Sequence, residues 1–174
     1  MRKLVLGLMA ACALGYAGGA SAQQQQEKPA AAAVPEKMPF DIPFGSEITL
    51  EHANRLIAAA EAEARRHKWK MNIAVVGPSG ELVAFARMDG AQYASIQIAQ
   101  DKAVSAARFR RPTKAFFDAV EAGHGYIAFL RGVVPSEGGY PLIESGKIIG
   151  AIGCSGGIAA QDGATCRAGA ELVK

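Results

Sequence analysis

The stretch "EGGYPLIESGKIIGAIGCSGG", residues 137–157, decides how the fold is read. Seven of its twenty-one residues are glycine. Yet Tyr140, Leu142, Ile143, Ile148, Ile149 and Ile152 give it the apolar, β-branched character of sheet. Ser145-Gly146 is a tight turn between two apolar runs, so the stretch reads as a hairpin with strands over 140–144 and 147–154. Gly138-Gly139 and Gly156-Gly157 flank it. Gly150 and Gly153 fall inside the second strand, where glycine weakens a sheet unless something approaches closely. Two kinds of approach fit: a tightly docked Ala-rich helix, or a flat ligand or subunit neighbour against the same strand.

Working outward, a second hairpin lies upstream. "MNIAVV" (71–76) and "ELVAFARM" (81–88) flank "GPSG", a loop of strong turn formers, and Asp89-Gly90 ends the second strand. Helices surround the hairpins. Thr49 is placed to cap "TLEHANRLIAAAEAEARRH", in which Leu50, Ala53, Ile57, Ala60 and Ala64 share one face. Residues 91–110 form an Ala-rich helix with Ile96, Ala99, Ala103, Ala106 and Ala107 inward. Pro112 interrupts it, Thr113 can cap "KAFFDAVEA", and Gly123 ends that helix. A last helix, with Asp162 near its cap, runs to the C-terminus. The order α-β-β-α-α-β-β-α, with antiparallel hairpins and helices at both ends and in the middle, predicts an α+β fold in three layers.

The first 45 residues stand apart. Arg2 and Lys3, the apolar run Leu4 to Tyr16 and the small residues Ala20-Ser21-Ala22 read as a secretory signal peptide over 1–22, cut after Ala22. The apolar run is short for a membrane span. Residues 23–45 read as a Gln/Ala/Pro-rich linker whose end, Met38 to Phe44, is apolar enough to pack on the domain at 46–174. Cleavage lowers the formal charge from +3 to +1. With no basic stripe, the chain offers no nucleic-acid surface, and the mature protein has no membrane partner. It is expected to be periplasmic or secreted. Of three cysteines, Cys12 leaves with the leader, and Cys154 and Cys166 remain. They fit a disulfide in an oxidising compartment, or two small buried hydrophobes; a metal pair is less well supported, with no His or third Cys near.

"MNIAVVGPSGELVAFARMDGA", "QDKAVSAA" and "EGGYPLIESGKIIGAIGCSGG" followed by "QD" together resemble the GlcG/HbpS family of haem-binding or haem-degrading domains, which includes the carboxy-terminal domain of PduO. The resemblance runs from about Ile48 to Val173. It implies a profilin-like, five-stranded antiparallel sheet between helices, with the missing strand expected in "YIAFLRGVV" (126–134), and it implies homo-oligomers. It also implies haem.

Haem iron takes His, Cys, Met or Tyr ligands. The chain offers His52, His67, His124, Met88, Tyr93, Tyr126, Tyr140 and Cys154. Without C-x-x-C-H, covalent attachment is excluded. His52 lies one position off the apolar face of the first helix and is the preferred iron ligand. His124, in a "GHG" loop, is second. Thr113 stands where the family often has Thr, a weak ligand or a plain N-cap. His67 reads as a dipole partner at a helix end and Met88 as core. Arg87, Asp89, Lys102 and Glu137 fall in the shared motifs. They are read either as structural salt bridges or as the floor of a pocket for propionates or a small carboxylate, a task suited to the planar Arg fork. The second reading makes the protein an organic-acid binder or enzyme accessory. "GCSGG" is not a nucleophile elbow, and no nucleophile–base arrangement stands out.

Overall fold

The computed structural model describes residues 34–173. The leader read over 1–22 therefore lies outside the described residues. The chain divides into two units, 1–36 and 37–174, and the second carries the fold. Its elements are α1 (Leu50–Arg66), β1 (Asn72–Val76), β2 (Leu82–Arg87), α2 (Ala94–Phe109), α3 (Lys114–Glu121), a 3₁₀ turn (Gly125–Phe129), β3 (Gly139–Glu144), β4 (Lys147–Ser155) and α4 (Ala159–Ala170). No helix among the described residues is long and apolar enough to cross a membrane.

The four strands form one antiparallel sheet in the order β2-β1-β4-β3. Both hairpins form as the turn residues demand, and β1 joins them by pairing with β4, Asn72 opposite Ser155 and Val76 opposite Ala151. Side chains alternate across the sheet. Ile73, Val75, Ile152 and Cys154 meet α1 and α4 on one face, while Ala74, Val76 and Ala151 meet the alanines of α2 on the other. This gives the three layers. Helix α1 buries Ala53, Leu56, Ile57, Ala60 and Ala64, and Thr49 caps it by accepting the His52 N–H at 3.2 Å. Leu50, placed inward by its spacing, is exposed, because it is the first residue of the helix and the face begins at Ala53.

The glycines inside β4 answer two different neighbours. A Cβ on Gly153 would overlap the Ala99 carbonyl oxygen and lie 2.5 Å from the Ala103 N, so α2 lies directly on this strand. A Cβ on Gly150, on the opposite face, would overlap the Val76 carbonyl and meet Ile48 at 3.1 Å. The tightly docked Ala-rich helix is therefore what Gly153 accommodates.

The strand expected over 126–134 does not form. Residues 125–129 close into a 3₁₀ turn through His124 O to Ile127 N and Ile127 O to Leu130 N, and none of the five is buried. Local turn bonds satisfy this backbone instead, and the β character of its side chains is overridden. The added pairing comes from the apolar end of the linker-like region instead. Phe44 bridges Ile148 in parallel, with the Gly45 N–H donating to the Ile148 carbonyl at 2.8 Å. That segment occupies the flank of β4 beyond the end of β1.

Cys154 and Cys166 are joined, tying β4 to α4 with Cα atoms 5.5 Å apart. Both are fully buried. A loop of this length contributes about 3 kcal/mol by chain entropy. The bridge removes Cys154 from the possible iron ligands.

Candidate functional site

Three places bring chemically capable side chains together. The first is a cleft of about 390 Å³ between the start of α1 and the β3–β4 turn. The run Gly45 to Thr49 forms one wall, held to β4 by the bond from the Ile48 N–H to the Ile149 carbonyl at 2.9 Å. His52 and Arg55 enter from the first turns of α1, and Glu144 and Lys147 from either side of the hairpin turn. Ile48 and Ile149 supply apolar floor. His52 is half-buried, and its imidazole takes no hydrogen bond among the described residues. Arg55 pairs with Glu51 at 2.6 Å, whereas Lys147 has no carboxylate partner among the described residues. The cleft thus offers an uncommitted imidazole and an apolar base, with two cations set among the carboxylates of Glu47 and Glu144.

The second place is a buried ion pair. Lys102 Nζ donates to Asp162 Oδ2 at 2.8 Å and to the Glu137 carbonyl at 2.7 Å. The two side chains are 2% and 4% exposed. The other oxygen of Asp162 accepts the N–H groups of Gly156 and Gly157 at 3.0 and 2.9 Å. Burial raises the Asp162 pKa above the usual carboxylate value, opposed by Lys102 and by those two backbone bonds. The ammonium is consumed inside the protein and has no face for a ligand.

The four charges of the shared motifs are accordingly not one pocket floor. Arg87 is exposed at the end of β2, lying over the Tyr93 ring at 5.1 Å, and Asp89 follows it into solvent. Lys102 and Glu137 sit by β3, on the opposite edge of the sheet, three strand spacings or about 14 Å away. The Glu137 carboxylate accepts from Tyr140 at 3.2 Å and faces Arg167 at 3.6 Å. Structural pairing is right for Lys102, with a partner, Asp162, that the sequence reading did not name. The spacing of Asp162 after Gly156-Gly157 was a usable signal, since an Asp there can reach back to free N–H groups at a helix start. Its pairing across 60 residues to Lys102 carried none.

Thr113 does not cap α3 with its hydroxyl. It is fully buried and exchanges bonds with Gly139: its Oγ1 accepts the Gly139 N–H at 2.9 Å and its own N–H donates to the Gly139 carbonyl at 3.0 Å. The hydroxyl is committed to joining the α2–α3 corner to β3. His124 precedes the 3₁₀ turn, exposed, edge-on to Tyr126 at 6.2 Å. His67 bonds Glu63 at 3.1 Å and stacks on Trp69 at 4.3 Å. Met88 is in the core. Among the described residues no group of three His, Cys, Asp or Glu is placed to hold a bare metal ion.

The third place is a cleft of about 280 Å³ between the end of α2, α3 and the 3₁₀ turn. Phe109, Phe116, Tyr126, Ile127 and Leu130 line it, with Arg111 as its cation. Sequence reading passed over Arg111, which lies between the end placed for the Ala-rich helix at 110 and Pro112.

Known proteins are similar to this chain in sequence and fold. The protein GlcG of Escherichia coli is 36% identical over 108 residues, which is 62% of this chain and 81% of GlcG. A double mutant of Streptomyces reticuli HbpS superposes with a TM-score of 0.69 at 28% identity, covering 84% of this chain and 99% of that one. The crystal structure described as a PduOC–haem complex gives 0.67 at 27% identity over 74% and 96%. The family model described as haem degrading protein HbpS-like matches residues 48–171, and with that span, both hairpins and the docked Ala-rich helix accounted for, the chain belongs to the HbpS-like family.

Proposed function

We propose that this protein binds haem in the cleft beside α1, with His52 as iron ligand. The observation that carries the reading is the His52 imidazole at that cleft, free of any hydrogen bond among the described residues, with Arg55 and Lys147 on the same walls. An imidazole nitrogen is a common axial ligand, and cations beside an apolar surface suit a ring that carries two propionates. Ile48 and Ile149 would meet the ring, and Lys147, the cation without a partner, would take a propionate. Bound haem would supply a redox-active iron. The protein's part is to hold the ring and to offer the nitrogen. A relative whose structure is described as a haem complex supports the same reading.

The reading includes storage, scavenging or sensing of haem outside the cytoplasm. The basic, apolar and small-residue pattern of residues 1–22 and the buried Cys154–Cys166 bridge support an oxidising compartment. Titrating the protein with haemin and following the Soret band tests the binding itself. The band is expected to shift and saturate near one haem per chain. A rise that never saturates, equal to that of an unrelated protein, removes the proposal.

A further inference from the structure

The cleft at the α2–α3 corner has features that the haem reading leaves unused. Helix α3 buries only Phe116 and packs against the 3₁₀ turn, which buries nothing. Tyr126 is 65% and Phe129 90% exposed, and Leu130 is half-exposed. Folding gains little from these side chains, so an aromatic-rich concavity stands open. At its wall is Arg111, part-buried. Its guanidinium lies over the Phe40 ring at 3.9 Å and faces Phe116 at 5.5 Å, and its Nε donates to the Phe109 carbonyl at 3.0 Å. Arg110 next to it has taken the acid nearby, Asp41, at 3.4 Å. Among the described residues no carboxylate pairs with Arg111. Burial and the neighbouring Arg110 both lower its pKa, as expected for a cation without a counter-charge.

A guanidinium stacked on aromatic faces keeps its in-plane N–H groups for a planar anion. One N–H is spent on the Phe109 carbonyl, and among the described residues the rest of the fork takes no partner, leaving it to a carboxylate. The apolar wall meanwhile asks for an apolar body. At about 280 Å³ the cleft is just below the roughly 300–1,000 Å³ of drug-sized sites, which suits one ring and a short tail. We infer that this cleft is a second ligand site, for a small aromatic or arylalkyl carboxylate, with Arg111 reading the carboxylate and Phe116, Tyr126 and Leu130 holding the ring.

Phenylacetate and its neutral amide, phenylacetamide, separate the two halves of this site. Each is titrated into the ¹⁵N-labelled protein and amide shifts are followed. Phenylacetate is expected to saturate, with shifts gathered at Arg111, Phe116, Tyr126 and Leu130, and phenylacetamide to bind at least tenfold more weakly. Arg111→Gln is expected to lose that tenfold preference, while Arg110→Gln keeps it. Should Arg111→Gln not fold, the acid–amide comparison on the wild-type protein decides alone. Equal binding of acid and amide, shifts centred elsewhere, or no saturation would overturn the inference. So would movement of the same resonances on simple dilution, because a second copy of the chain would then occupy the cleft.

Discussion

Lys102→Met is expected to destabilise the protein by about 3–5 kcal/mol, the cost of leaving a buried ion without its partner. The methionine keeps most of the side-chain volume, so packing changes little. What is lost is the ammonium that meets Asp162 at 2.8 Å and the Glu137 carbonyl at 2.7 Å. Asp162 then remains buried as a carboxylate with only the Gly156 and Gly157 N–H groups, and the Glu137 carbonyl loses its donor. One ion pair thus holds four pieces together: α2, the chain entering β3, the glycine turn leaving β4, and the first turn of α4. Set against a typical total of about 5–15 kcal/mol, the loss is a large share of all stability. Urea unfolding reads it. An unfolding free energy within about 1 kcal/mol of wild type would show that the pair is not structural. Lys102→Met combined with Asp162→Leu is expected to recover part of the loss, and not all, because the two glycine N–H groups stay uncapped.

Gly153→Ala is expected to cost about 1–3 kcal/mol, toward the upper end, from one added methyl group. The new Cβ would overlap the Ala99 carbonyl oxygen and crowd the Ala103 N at 2.5 Å. Both are backbone atoms, so no rotamer change relieves the contact. Either α2 lifts from the sheet or β4 bends. Gly125→Ala is the control. Nothing lies within 4 Å of a Cβ there, and the change is expected to stay within about 0.5 kcal/mol. Equal midpoints for the two variants would contradict the direct docking of α2 on β4.

Both predictions rest on contacts that differ in how visible they were. The hairpins were legible because turn chemistry at Gly77–Gly80 and Ser145–Gly146 and the apolar runs beside them are local signals. The docked helix was legible as one of two alternatives, since alanines at helical spacing and glycines in a strand imply each other. The misplaced strand has a physical cause. Tyr126, Ile127 and Phe129 favour sheet by type, but that preference depends on context, and local i to i+3 bonds from His124 and Ile127 close the segment into a 3₁₀ turn. The segment that does extend the sheet, at Phe44, lay in a stretch whose composition reads as linker.

The candidate sites follow the same division. His52 was legible from its place on the flank of an amphipathic helix. The cations around it were not, because Lys147 comes from a hairpin turn some ninety positions away and only the fold brings it to α1. Thr113 was visible as a residue that matters, but its role was misread. At a helix start a threonine suggests a cap, whereas here Gly139 reaches it first from a strand 26 positions on. Lys102 and Arg87 sat in shared motifs and looked like one site, and the strand order separates them.

The central claim is that His52, and not another histidine, meets the iron. The most direct test is a parallel Soret titration of the wild-type protein, His52→Ala and His124→Ala with haemin. His52→Ala is expected to lose the saturable shift, while His124→Ala, whose ring lies outside the α1 cleft, is expected to match wild type. A saturable shift that survives in His52→Ala and disappears in His124→Ala would contradict the account and move the haem to the loop between α3 and the 3₁₀ turn.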